Sequence, residues 1–441
     1  MRSQALPISL QAPTATTAPM RLRYGYNLSG CWSKFTSGSN GAKVQGLLRE
    51  AGTEILRVFL FENAAPDPLK QWDDCAAYLD AVLNTGAVPM INFAGFPRDW
   101  DSPGSAHAYA RRCRAVVQRS IEHWGETAVG NWYWCLGDEP NSPWSAGSVP
   151  FDGYRRIYEE TAEKIYGLLA PFLPHGKPRI GGPALDGFQP FWFDWVWRFV
   201  NEIDNSLIGF VAWHYYGDWR EHGAWSAPSD SDVFRRLLLS RTMEYWRRAK
   251  AVARVVEGRG ILNICSELGA HSHNEPGVSS YYNQTLFGSA YYGSALIQLM
   301  RGGADAELWW AASDDGGPSG AIGPQADTAP AYWAKRLCVS HVRFGDKLCF
   351  PNETAPDPPL DIVIAEDGRG RRRAFLAHLR DEPAKYIAEE LAGIESNGHI
   401  LKLDGSTGSA PVGAPFDGTI TFDGYGIAAV GAPGDQEGIS R

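Results

Sequence analysis

The sequence predicts an α/β chain, a (β/α)₈ barrel over residues 21–340 followed by a small antiparallel β-sandwich over 341–441. Three observations carry this. Eight short apolar runs alternate with longer stretches of helical spacing. The first run leads into "GYNLSG", which lacks the G-x-G-x-x-G loop of a doubly wound open sheet. Past Phe344 the alternation stops and only short strand-like runs remain.

The elements follow in order from Arg21. The strand-like runs are 22–29 (LRYGYNLS), 54–61 (EILRVFLF), 87–93 (AVPMINF), 131–137 (NWYWCLG), 178–185 (PRIGGPAL), 208–216 (IGFVAWHYY), 261–267 (ILNICSE) and 306–313 (AELWWAAS). They are rich in β-branched and aromatic residues, which favour a pleated surface. Between them lie the helix-like segments. Residues 41–52 place apolar side chains at 44, 47, 48 and 51. Residues 72–86 place them at 75, 78, 79, 82 and 83, and Gly86 is suited to end the helix. Segments 107–125, 151–170, 190–203, 231–256, 283–303 and 329–344 continue the series. Eight β–α units make a parallel barrel of the TIM type. In the last hundred residues, 360–379 reads as a hairpin around Asp367–Gly368, with further strands at 398–404, 418–423 and 425–431. Residues 5–11 can add a strand from the other end of the chain. The basic run 369–373 (RGRRR) is expected to be a solvated face. The aromatic stretch 188–200 is expected to be a buried helix and not a sugar platform.

Composition narrows the function. A hydrophobic content of 44% and charged content of 21% belong to a globular chain with an ample core. A net charge of −9 argues against nucleic-acid and anionic-membrane partners, which need a basic face. No apolar run reaches the ~18–20 residues of a membrane span. Seven scattered cysteines without a C-x-x-C pair favour reduced thiols. Residues 1–20 lack the apolar core of a secretory leader, so the chain as it stands reads as cytoplasmic, or as secreted or periplasmic had a leader been removed. Seventeen tryptophans supply both core packing and flat faces that suit sugar rings.

In such a barrel the active site lies at the C-terminal ends of the strands. The second run carries Arg57, the third ends at Asn92, the fourth at Asp138–Glu139, the sixth at His214 and Tyr216, the seventh at Glu267, and the eighth carries Trp310. Glu139 and Glu267 end strands on roughly opposite sides of the barrel mouth. Two facing carboxyl groups are what glycosidic cleavage needs: one protonated to assist the leaving oxygen, one ionised to act at the anomeric carbon. Different surroundings must split their pKa values.

These residues resemble clan A retaining glycoside hydrolases. The carriers are Glu139 in "DEPN", Glu267 in "CSELG", "HYY" at 214–216 and the tryptophan of the eighth strand. The chain is most similar to glycoside hydrolase family 39, the β-xylosidase and α-L-iduronidase family, through "WAASD" (310–314), "GGPSGAIG" (316–323), "APAYWAKRL" (329–337) and "GDKL" (345–348). The resemblance implies that Glu139 is the acid/base and Glu267 the nucleophile. It further implies that Arg57 sits by the nucleophile, that Tyr216 of the His214–Tyr216 pair hydrogen-bonds it, and that Trp310 floors the sugar site. One position departs: the family has Asn where this chain has Asp138. Asp can accept from a sugar 2-hydroxyl but, ionised, cannot donate, and its charge should raise the pKa of Glu139.

The expected activity is hydrolysis of a β-linked glycoside or polysaccharide through a covalent glycosyl-enzyme, with the carboxyls about 5–5.5 Å apart. The alternatives are a carbohydrate-binding relative that no longer cuts, or a transglycosylase of the same fold. The partner is a carbohydrate, and no cofactor or metal is expected. His271, His273 and Glu275 read as a loop lining the sugar pocket more than as a metal site. Trp32, Phe35, Trp219 and Trp225 are candidate subsite walls.

Overall fold

The computed structural model describes residues 5–7, 19–28, 35–36, 38–61, 67–97, 99–142, 149–173, 176–218, 232–271, 282–313, 319–350, 359–387 and 398–431. Eight parallel strands close into a barrel, each bonded to the next and the last to the first. They are β2 (Arg23–Leu28), β3 (Ile55–Leu60), β4 (Val88–Phe93), β5 (Tyr133–Leu136), β6 (Arg179–Leu185), β7 (Phe210–Asp218), β8 (Leu262–His271) and β9 (Ala306–Trp309). Strand residues point alternately in and out. Inward-facing Ile55, Met90, Tyr133, Phe210, Ile264 and Leu308 belong to one apolar cluster that plugs the interior. Outward-facing Leu56, Ile91, Trp134, Val211 and Trp309 pack into the core beneath the helices. With both faces buried, the strands read as near-continuous apolar runs.

The helices are α1 (Gly38–Glu50), α2 (Trp72–Asn84), α3 (Pro103–Trp124), the short α4 (Glu126–Val129), α5 (Phe151–Leu169), α6 (Trp192–Glu202), α7 (Asp232–Ser240), α8 (Met243–Val256), α9 (Leu286–Gly302) and α10 (Pro330–His341). Two expectations need correction. The single helix expected over 231–256 is broken at Arg241–Thr242. The hydroxyls of Ser240 and Thr242 donate to the Leu237 and Leu239 carbonyls, and Ser294 on α9 donates to Thr242 Oγ1 at 2.7 Å. Local side-chain bonds of this kind compete with the helical ladder. The stretch 188–200 is not buried all round. In α6 only Val196, Phe199 and Val200 are buried, while Phe191, Phe193 and Trp197 are exposed. The helix that is enclosed along nearly its whole length is α9.

The reason is the C-terminal sheet. Strands β10 (Lys347–Cys349), β11 (Leu360–Glu366), β12 (Arg372–His378), β14 (His399–Leu403), β15 (Val412–Pro415) and β17 (Gly426–Val430) form one antiparallel sheet in the order β10-β11-β12-β17-β14-β15. One face meets α9, where a Cβ on Gly293 would lie 3.0 Å from Ile427 and 3.2 Å from Ala377. The other face, with Ile362, Leu376, Ala428 and Val430, packs on Tyr386, Ile420 and Phe422. Those three belong to a smaller sheet of β1 (Ala5–Pro7), β13 (Ala384–Ile387) and β16 (Thr419–Phe422). A β-sandwich therefore caps the barrel through α9. The basic run 369–373 is mostly exposed, but Arg373 is buried and paired with Asp346 at 2.9 Å. That ion pair ties β12 to the segment joining barrel and sandwich.

A second buried pair joins the last helix to the barrel. Lys335 of α10 lies 2.9 Å from Glu307 of β9, and neither side chain is exposed. Lys335 also donates to the Gly25 carbonyl and sits 3.6 Å above the Tyr26 ring, while Tyr292 donates to Glu307 at 2.8 Å. Removing one member leaves an uncompensated buried charge, so Lys335→Met should cost about 3–5 kcal/mol, read from urea unfolding. Lys335→Met combined with Glu307→Gln should recover part of that loss.

Candidate active site

The barrel interior changes character toward the C-terminal ends of its strands. Above the apolar plug, the next inward positions are polar: Asn27, Arg57, Asn92, His214 and Glu267, all buried. Arg57 is the centre of this layer. Its guanidinium has no exposed surface, bonds Glu267 at 2.6 Å and Asp138 at 2.5 Å, and donates to Asn27 Oδ1 at 3.2 Å. The Phe59 ring lies 4.5 Å from the guanidinium, a cation–π contact. Burial works against the Arg57 charge, but Asp138 and Glu267 outweigh it and raise the pKa above the usual arginine value. Arg57 is therefore a fixed cation.

Glu267 reaches the interior only because β8 is bulged. Ile264 faces inward, and simple alternation would bring Ser266 inside next. Against β7, Trp213 pairs with Cys265 but His214 pairs with Glu267, so one residue is extra. The bulge reverses the alternation and turns Glu267 into the cleft. There Arg57 bonds Oε1, and the Tyr216 hydroxyl donates to Oε2 at 2.7 Å.

The fourth barrel strand is redirected at its end. Gly137 has φ = 90°, and a Cβ there would meet Tyr154 and Phe96 at 3.2–3.3 Å. Glu139 then has φ = 43°, a left-handed conformation that costs a side-chain-bearing residue roughly 1–3 kcal/mol. Its N–H donates to the Ala184 carbonyl at 2.9 Å, and its carbonyl accepts from Ser142. Asn141 and Asp186 brace this turn reciprocally, each accepting from the other at 2.9–3.0 Å. Asp138 and Glu139 thus both enter the cleft. Asp138 meets Arg57, and Glu139 Oε1 lies 2.8 Å from His214 Nδ1.

One imidazole spans the two glutamates. His214 Nδ1 faces Glu139, and Nε2 lies 3.5 Å from Glu267 Oε1. Burial lowers the His214 pKa despite Glu267, so the ring is neutral at neutral pH. Burial raises both glutamates. Burial, with smaller help from the Asp138 and Glu139 carboxylates, pushes Glu267 up to about 7 against the pull of His214 and Arg57. For Glu139 it is reinforced by the carboxylates of Asp186 and Asp138 and opposed by Arg57 alone. Glu139 keeps about a quarter of its side chain in solvent, so the neighbouring charges count alongside burial. The consistent proton arrangement is a protonated Glu139 donating to Nδ1 and an Nε2–H turned toward an ionised Glu267.

Six of the ten residues expected in the site meet here: Arg57, Asp138, Glu139, His214, Tyr216 and Glu267. Trp310 faces the same interior, edge-on to Phe59 with ring centroids 5.6 Å apart. Asn92 is fully buried beside Phe59 and Cys135, and its amide has no hydrogen-bond partner among the described residues. Trp32 and Trp219 lie outside the described residues, as do Trp225, His273 and Glu275. Phe35 is 3% exposed and edge-on to Tyr78, so it packs the core and does not wall a subsite. His271 is buried against the Tyr282 ring. Sequence reading missed Asn27, Asp186 and the role of Asn141. The first two are polar residues at the ends of the first and fifth runs, the same signal that singled out Arg57. Donor atoms of Asp138, His214 and Glu267 lie within 4.8 Å of one another, the one such cluster among the described residues. Both carboxylates in it already bond the Arg57 cation.

No family model matches the chain. Solved structures do. A monomeric β-xylosidase from Caulobacter crescentus CB15 aligns with TM-score 0.63 and 16% identity, over 94% of this chain and 97% of that one. AbfB, a family 51 α-L-arabinofuranosidase from Bifidobacterium longum, aligns with TM-score 0.65 and 15% identity over 94% and 97%. A bacterial orthologue of human α-L-iduronidase aligns with TM-score 0.62 and 15% identity over 97% and 82%. At these identities the likeness is one of fold, over both barrel and sandwich, and it includes the family 39 neighbours that the motifs resemble.

The raised pKa of Glu139 has a thermodynamic consequence. Its stabilising contribution is fully present below the unfolded-state glutamate value and is lost as pH rises through the folded value. Glu139→Gln should therefore raise the melting temperature relative to wild type at pH 8, and the gap should shrink toward pH 4. Thermal unfolding across this range checks the direction.

Proposed function

We propose that the chain is a retaining glycoside hydrolase acting on a β-linked glycoside. The observation that carries the proposal is the pair Glu139 and Glu267, at the ends of the fourth and seventh barrel strands and bridged by His214. Fold neighbours that are a xylosidase, an arabinofuranosidase and an iduronidase support a carbohydrate substrate.

In the first step a carboxylate oxygen of Glu267 bonds the anomeric carbon while that carbon's bond to the leaving oxygen breaks. Glu139 gives its proton to the leaving oxygen. Arg57 and Tyr216 orient the nucleophile, and the low-pKa imidazole of His214 keeps a proton between the two carboxyls without adding a charge. In the second step Glu139, now a base, takes a proton from water. The hydroxide oxygen bonds the anomeric carbon, the ester to Glu267 breaks, and the sugar leaves with both carboxyls restored. One water is consumed per bond cut. Asp138 acts twice in this reading. It shares the Arg57 cation with the nucleophile, and its charge helps Glu139 hold a proton.

Aryl β- and α-glycosides of xylose, glucose, galactose, arabinose and uronic acids test the proposal. Glu267→Gln should abolish turnover of whichever one is cut. Glu139→Gln should spare much of the rate on activated aryl groups while losing about 10²–10⁴-fold on sugar leaving groups. Equal losses on both kinds of leaving group would contradict the assigned roles. Asp138→Asn removes a negative charge beside the acid, so the alkaline limb of kcat/KM against pH should move to lower pH. An unmoved limb would remove Asp138 from the tuning of Glu139.

A further inference from the structure

The loop that carries Asp186 continues into a surface that the proposed chemistry does not use. Past Asp186 the chain turns through Gly187, pressed on β7 so closely that a Cβ would lie 2.1 Å from the His214 carbonyl oxygen. It then presents Pro190, Phe191, Phe193 and Trp197 to solvent, with the three rings 72%, 40% and 50% exposed. Phe193 and Trp197 are four apart on α6 and share one face. Beside this strip lies a cavity of about 470 Å³ lined by Gln189, Trp192, Tyr215, Arg241, Glu244 and Arg248, among others, with Pro190 on its rim. The outward ring of Tyr215 forms its wall, while the neighbouring His214 and Tyr216 point into the catalytic cleft.

The cavity is cationic. Arg248 lies between the rings of Trp192 and Tyr215, 4.6 Å from each, and donates to the Gly187 carbonyl at 2.7 Å. Its Nε–H is buried and has no hydrogen-bond acceptor among the described residues, with Glu244 standing 4.0 Å away. Arg241, whose Nη1 donates to the Gly217 carbonyl at 2.6 Å, adds a second guanidinium, and Glu244 is the one carboxylate of the lining.

We propose that this strip and its cavity form a binding site, outside the catalytic cleft, for an acidic glycan. Exposed aromatic rings present apolar faces that match the C–H faces of successive sugars. The adjoining guanidinia offer planar donor forks that match a uronate carboxylate. The size of the strip argues against a second copy of the chain. At roughly 200 Å² per ring, the exposed aromatic area is about 300–350 Å², against ~800 Å² per partner for a stable interface. The helix reads in sequence as a buried element because its rings lie all round it. Its solvent face becomes a platform because the core takes only Val196, Phe199 and Val200.

The test is affinity gel electrophoresis of the full chain through polygalacturonate and, separately, through neutral hydroxyethylcellulose. The Glu267→Gln background prevents cutting, and aryl-glycoside turnover is followed separately in chains that keep Glu267. Retardation by polygalacturonate should exceed that by the neutral polymer and weaken with salt. Phe193→Ser with Trp197→Ser should weaken it about tenfold, on the scale of two lost aromatic contacts, without changing turnover or melting temperature. Arg248→Gln should weaken it as well. Since both rings are exposed, the double variant keeps the test decisive even where Arg248→Gln fails to fold. Undiminished retardation of the double variant would overturn the site, and equal retardation by both polymers would overturn its acidic class. A dimer in size-exclusion chromatography that the double variant dissolves would assign the strip to a second copy instead. The readout is binding, so it stands or falls separately from hydrolysis.

Discussion

The site depends on one buried charge. Arg57 lies wholly inside the barrel, and an unpaired cation there would be prohibitive. Glu267 and Asp138 compensate it, Asn27 accepts from it, and Phe59 covers it. Each of these comes from a different strand end or the turn after it, so the ion cluster also fixes where four strands stand relative to one another. The same cation that holds Glu267 in place thereby organises the polar layer of the barrel. It also explains how two carboxylates and an imidazole can crowd within 4.8 Å.

Against this shared cation the two glutamates are made unequal. Glu267 has Arg57, His214 and the Tyr216 hydroxyl directly on it, and Arg57 and His214 draw its pKa down against burial and the Asp138 and Glu139 carboxylates. Glu139 sits on a left-handed turn with Asp138 beside it and Asp186 behind it, and both disfavour ionisation. Splitting the proton affinities of two like groups by surroundings is what acid/base division requires. The brace between Asn141 and Asp186 makes that splitting a property of two loops, since it locks the turn after β5 to the turn after β6. The outer cavity is built on that second turn, so it and Glu139 share a support.

Much of this architecture was legible in the chain. Eight apolar runs and their helical partners follow from periodicity, because a parallel strand buried on both faces and an amphipathic helix leave unmistakable patterns. Strand-end polar residues located Arg57, Asp138, Glu139, His214, Tyr216 and Glu267, because a (β/α)₈ barrel gathers whatever its strand ends carry. Short strands such as β10, β13 and β15 went unread, since three or four residues cannot establish a period. The break between α7 and α8 was invisible for a related reason, as Thr242 is held by Ser294 from another helix.

By itself, then, the sequence determined which residues could do chemistry and at which end of the barrel they would lie. Tertiary structure alone decided how they face one another. The bulge at Ser266 inverts the inward parity of β8, the positive φ of Gly137 and Glu139 turns two adjacent carboxylates into one cleft, and the sandwich chooses α9 over α6 as the enclosed helix. None of these is a local preference. Each is settled by what packs against the segment, and a hydrophobic pattern records that a residue is buried without recording against what.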